Sequence, residues 1–120
     1  MKKTVIASVI LSVVIVFFSC SKSKSDNNSG GNNTIDCSGT TKTFAGDVNP
    51  LIQTFCNQAD CHASGSTNGP GPITSYTQVF NARSAIRSAV ASGLMPRNTT
   101  LTTAQKTAII CWIDSGAPNN

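Results

Sequence analysis

Residues 1 to 34 of this 120-residue chain read as lying outside the part that folds, and what remains is short. Met1-Lys2-Lys3 is a positive start, Val5 to Phe18 an apolar run broken only by serines, and Ser19-Cys20 a small-residue end. That is the arrangement of a cleavable export signal over residues 1–19, and the apolar run falls short of the about 20 residues that span a bilayer. Residues 20–34 follow as a tether. From Ser21 to Thr34 there are only Ser, Lys, Asn, Gly, Thr and one Asp, so no burial offsets the entropy of ordering. The folding part, residues 35–120, is about 85 residues long, a size at which a hydrophobic core is only marginally sufficient and a staple or bound cofactor usually supplements it.

The end of the signal, Phe17-Phe18-Ser19-Cys20, resembles a bacterial lipobox, with Phe17 where Leu is commonest. The resemblance implies that Cys20 becomes the first mature residue and carries lipid, so that the protein meets a membrane through an anchor. A plainly secreted protein and a retained membrane anchor are the competing readings. Ser21 after the cysteine, in place of Asp, looks like the outer-membrane sorting pattern. The expected location is the bacterial cell envelope, anchored at the outer membrane and facing the periplasm.

The formal charge of +4 overstates the basic character of the mature protein: of nine Lys and Arg, Lys2 and Lys3 leave with the signal, and seven then stand against five Asp. Lys22 and Lys24 lie in the tether, and Arg83 and Arg87 are one turn apart on an expected helix face. No aromatic residues interleave with a basic stripe, so nucleic-acid binding has no support.

Beyond the tether the pattern is that of an all-α domain, about three helices joined by long loops. Asn49-Pro50 reads as an N-cap and first turn, followed by Leu51, Ile52 and Phe55. Ala63 to Thr74, containing Gly69-Pro70-Gly71-Pro72, reads as a loop. A second helix is expected from about Ser75 to Ser92, with Tyr76, Val79, Phe80, Ile86, Ala89 and Val90 at helical spacing and Gly93 as its stop. A third starts at the capping box Thr102 to Gln105, turns Ala108, Ile109, Trp112 and Ile113 inward, and ends at Gly116 and Pro118.

The chemistry is concentrated in Cys56-Asn57-Gln58-Ala59-Asp60-Cys61-His62. Covalent haem attachment needs two thiols for the two vinyl groups and a histidine directly after the second thiol, most often as C-x-x-C-H. Here four residues separate the cysteines. Residues five apart on a helix differ by about 140° in azimuth, so the insert must loop out. Two other uses of these residues stand beside haem: four cysteines after Cys20 could form two disulfides in any of three pairings, or Cys56, Cys61, His62 and one more thiol could hold zinc. Adjacent Cys and His chelate awkwardly, and exported thiols tend to oxidise.

From about Phe44 onward the chain resembles the small monohaem cytochrome c domains carried by bacterial lipoproteins. The resemblance lies in Asp47-Val48-Asn49-Pro50-Leu51-Ile52 running into Cys56, in Cys61-His62, Tyr76 and Met95-Pro96, and in the closing Trp112-Ile113-Asp114-Ser115-Gly116-Ala117-Pro118-Asn119-Asn120. It implies a helical fold around one covalent haem c, with thioethers from Cys56 and Cys61, His62 as proximal iron ligand and Met95 as distal ligand. The residues themselves add that His62 is the only histidine and Met95 the only methionine after Met1. Filling a gap in the core is the competing role for Met95. Trp112 reads as core with the haem edge as a neighbour, and Arg97 as solvated surface or a propionate contact. If Cys20 takes lipid and Cys56 and Cys61 take haem, Cys37 and Cys111 remain, either as a bridge from the start of the domain to its last helix or as two free thiols.

The expected function is one-electron transfer to and from a redox partner protein that the sequence does not name. Scattered Asp residues and a single histidine leave no catalytic set, so an electron carrier is expected rather than an enzyme. Two other classes stay open: a cofactor-free, disulfide-stapled lipoprotein acting as a binding or structural module, and a haem protein whose distal site binds a small ligand because Met95 does not coordinate.

Overall fold

The computed structural model describes Thr34–Asn120. The signal and almost all of the tether, Cys20 included, lie outside the described residues. Within them the chain is a small all-α domain with no strand, and no helix is long and apolar enough to cross a membrane.

The first helical segment starts earlier than Asn49-Pro50 suggests. The Thr43 hydroxyl accepts from the Gly46 N–H at 3.1 Å, and the Asp47 carboxylate accepts from the Thr43 N–H at 2.8 Å and hydroxyl at 3.0 Å. These hydrogen bonds hold the Asp47 carboxyl below its ordinary range, the Thr43 N–H contributing most. A π-helical turn, Phe44–Val48, therefore runs straight into α1, Asn49–Phe55. Asn49 is an interior helical residue, and its side-chain oxygen accepts from Gln53 Nε2 at 3.1 Å. The expected cap is displaced because Thr43 and Asp47 satisfy the free N–H groups one turn upstream.

The other two helices lie where their caps place them. In α2, Tyr76–Ser92, Ser75 and Gln78 form a reciprocal capping box, and Gly93 ends the helix at φ 74°. That left-handed conformation is open to glycine without a steric penalty. In α3, Thr103–Asp114, Thr102 and Gln105 form the corresponding box.

Val79, Ala82, Ile86 and Val90 bury one stripe of α2 against α3, whose Ala108 to Trp112 are all buried. The expected inward face of α3 included Ile113, which is only half-buried, and omitted Ile110 and Cys111, which are buried. The second covered side of α3 comes from the segment before the first helix: Cys37 is bonded to Cys111 with Cα atoms 5.3 Å apart, and Ile35 packs on the core. A link across 74 positions stabilises by roughly 4 kcal/mol in the chain-entropy treatment.

Aromatic rings tie these parts together. Phe44 meets Tyr76 edge-on at 5.1 Å and Trp112 at 5.4 Å. Trp112 Nε1 donates to the Pro118 carbonyl at 2.9 Å and the Tyr76 hydroxyl to the Ala117 carbonyl at 2.9 Å. Asn120 accepts from the Phe44 and Ala45 N–H groups at 3.0 and 2.9 Å, so residues 117–120 lie back against the first helical turn.

Arg87 on α2 grips Asp114 on α3 through two hydrogen bonds of 2.6 and 2.8 Å. Each partner favours the charged form of the other, holding the Asp114 carboxyl low and the Arg87 guanidinium high. The side chains are 45% and 37% exposed, so solvent screening limits the pair to about 1 kcal/mol or less. Its contribution is present above the ordinary carboxylate range and lost as pH falls through the depressed value of Asp114. Arg87→Ala is therefore expected to cost about 1 kcal/mol or less at neutral pH, with the difference from wild type vanishing in acid. Urea titrations across that range check it.

Candidate functional site

The insert between the two cysteines is held by side chains closing the free end of α1. Gln58 Nε2 donates to the Thr54 and Gln53 carbonyls at 2.8 and 3.2 Å, and the Cys61 N–H returns to the Gln58 carbonyl at 2.9 Å. The His62 N–H then reaches the Cys56 carbonyl at 3.2 Å. Cys56, at the helix end, and His62 are thereby brought together without a continuous helix, and the insert leaves the helical path.

His62 is 7% exposed, and among the described residues it is the one buried side chain of polar or charged type. Its Nδ1 lies 3.0 Å from the Gly71 carbonyl. A carbonyl only accepts, so Nδ1 carries the hydrogen and Nε2 presents its lone pair. No buried side-chain nitrogen among the described residues lacks a partner, and Nε2 makes no hydrogen bond there, so it keeps accessible surface.

His62 lines a cavity of about 420 Å³. Its wall includes His62, Cys56 and Met95, with Ile73 from the loop and Ile86 and Val90 from α2 among the apolar remainder. Met95 is half-buried on the loop after Gly93, where its N–H donates to the Ala89 carbonyl at 3.2 Å. Burial pushes the Cys56 thiol up to about 11, with a smaller contribution from Cys61, so at neutral pH it is a protonated thiol.

Not every expected residue reaches this wall. Cys61 is half-buried and stands outside the lining, and its carbonyl is engaged by Ser66 and Asn68. Arg97 is exposed. Trp112 is fully buried among Phe44 and Tyr76 rather than in the cavity wall.

The donors suit a haem iron in kind: an imidazole nitrogen with a fixed tautomer and a thioether sulfur, in an apolar wall that also carries a thiol. Zinc fits the residues less well. Cys37 and Cys111 are consumed by their bridge, and among the described residues Cys56 and Cys61 are the free thiols, while no group of three or more His, Cys, Asp or Glu comes together there.

No family model, curated protein or solved structure matches the chain. The site therefore rests on its own geometry. Three contributors escaped the sequence reading: the Gly71 carbonyl and the side chains of Ser66 and Asn68. A backbone carbonyl has no side-chain signature, and Ser and Asn in a Gly-rich stretch look like ordinary loop residues.

Proposed function

We propose that the domain is a c-type cytochrome that carries single electrons, in which His62 and Met95 would hold a haem iron and Cys56 and Cys61 would attach the macrocycle. One observation carries this: His62, its Nδ1 held by the Gly71 carbonyl, shares an apolar cavity with Met95 and Cys56, although 33 positions separate His62 from Met95. A bound haem would supply an iron centre that cycles between two oxidation states.

The chain's own residues have definable tasks. Gly71 fixes the imidazole and, by accepting from Nδ1–H, raises the basicity of Nε2. The thioether of Met95 would favour the reduced state of a bound iron and so a higher potential than a second histidine would give. Ile73, Ile86 and Val90 keep water from the site, and low polarity favours the state of lower net charge. An upstream signal and a lipid on Cys20 would place this carrier at the outer membrane facing the periplasm, exchanging electrons with a protein partner there.

The decisive experiment is a haem stain of the purified protein after denaturing electrophoresis. Covalent haem is expected to stain at the protein band, with roughly one haem per chain by pyridine haemochrome. An unstained band from cells that attach haem to another c-type cytochrome would overturn the proposal in favour of a cofactor-free, disulfide-stapled module.

A further inference from the structure

We propose that Ser66 and Asn68 are positioning residues for His62, a polar latch that sets the imidazole in place of the helix the insert interrupts. Only the consequence for the iron rests on the haem reading; the latch itself is a property of the loop.

The peptide between Cys61 and His62 is held at both ends. Its N–H donates to the Cys56 carbonyl at 3.2 Å. Its carbonyl accepts from the Ser66 hydroxyl and from Asn68 Nδ2, the latter at 2.9 Å. Asn68 Nδ2 also donates to the Asp60 carbonyl at 3.1 Å, and the Asn68 N–H donates to Ser66 Oγ at 3.2 Å. The two side chains thus bind the last residues before His62, and the Asn68 backbone N–H ties that residue to Ser66.

Asn68 also touches the acceptor facing the ring, through its own backbone. The Asn68 carbonyl takes the Gly71 N–H, and Gly71 is the residue whose carbonyl accepts from His62 Nδ1. Asn68 therefore contacts both sides of the imidazole hydrogen bond, the backbone that carries the ring and the turn that carries the acceptor. A longer insert between two cysteines frees backbone carbonyls that a helix would have satisfied internally. Asp60 and Cys61 are two such groups, and the latch satisfies both.

Loosening the latch should let the Gly71 carbonyl and the ring separate. The Nδ1–H hydrogen bond would weaken, the preference for the Nδ1–H tautomer would fall, and Nε2 would become a poorer donor to iron. A poorer nitrogen donor stabilises the oxidised metal less, so the reduction potential should rise.

The test uses the full chain in wild-type, Ser66→Ala, Ser66→Thr and Asn68→Asp forms. Asn68→Asp keeps the shape and removes both N–H donors, while Ser66→Thr keeps the hydroxyl. In chain prepared without haem, nitrogen-15 spectra should show one Nδ1–H tautomer of His62 in wild type and Ser66→Thr. Ser66→Ala and Asn68→Asp should show mixed tautomers and faster exchange of the ring N–H. In haem-loaded chain the same two variants should have raised potentials, with Ser66→Thr at the wild-type value. If Asn68→Asp does not fold, Ser66→Ala, which removes one donor, carries the test. A wild-type tautomer and potential in folded Ser66→Ala and Asn68→Asp would overturn the latch. A wild-type chain that takes no haem would overturn the proposed function instead, and the tautomer spectra would still decide the latch.

Discussion

His62→Ala is expected to abolish the low-spin haem spectrum completely. His62 is the only histidine in the chain, so no other imidazole could take its place at the proposed iron. The variant should still fold, because the residues of the main aromatic core, Phe44, Tyr76 and Trp112, stand outside the cavity wall. The direct structural loss is one hydrogen bond, which leaves the Gly71 carbonyl unpaired, at a cost of about 1–3 kcal/mol. Absorption spectra of the reduced protein, read beside far-ultraviolet circular dichroism, separate loss of the ligand from loss of the fold. Met95→Ala should behave differently: it keeps the stain, loses the weak sulfur-to-iron band in the near infrared and gains carbon monoxide binding. A His62→Ala protein with wild-type visible bands would remove His62 from the iron.

Trp112→Ala should be the most damaging single change to stability, at about 3–5 kcal/mol. The indole is fully buried. Its removal empties the space between Phe44 at 5.4 Å and Tyr76 at 6.4 Å and leaves the Pro118 carbonyl without its donor. That donor also helps hold residues 117–120, whose last residue caps Phe44 and Ala45, so the first helical turn should loosen with it. For a domain of this size such a loss corresponds to a fall of about 15 to 30 °C in Tm. Trp112→Phe, which keeps most of the apolar volume, should lose markedly less. Thermal unfolding of the two variants measures both, and a Trp112→Ala cost below about 1 kcal/mol would refute this account of the core.

The helices were legible wherever a local signal stood alone. Gly93 and the Thr102–Gln105 box mark their boundaries because caps act within one turn. Asn49-Pro50 misled for the same reason: it is a good local start, but Thr43 and Asp47 offer a better one just upstream, through a reciprocal pair that residue types alone rank no higher. The α3 stripe was partly misread because a periodicity reports one buried side, and the side covered by Ile35 and the Cys37 bridge comes from a segment 74 positions away.

At the candidate site, residue type and spacing singled out Cys56, Cys61, His62 and Met95, since few side chains can bind iron or bond to a haem and this chain has little choice among them. Composition alone likewise restricted histidine ligation to His62, and the long spacing between the cysteines required that the insert leave the helix. Which of these groups share a wall was decided in three dimensions. Met95 joins His62 and Cys56 because the chain returns along α2, whereas Cys61 stands outside the lining, with its carbonyl accepting from Ser66 and Asn68. The tautomer of His62 depends on one backbone carbonyl, at Gly71, and every residue has such a carbonyl. Sequence determines which donors exist and how far apart they lie along the chain; only packing selects which main-chain group each of them meets.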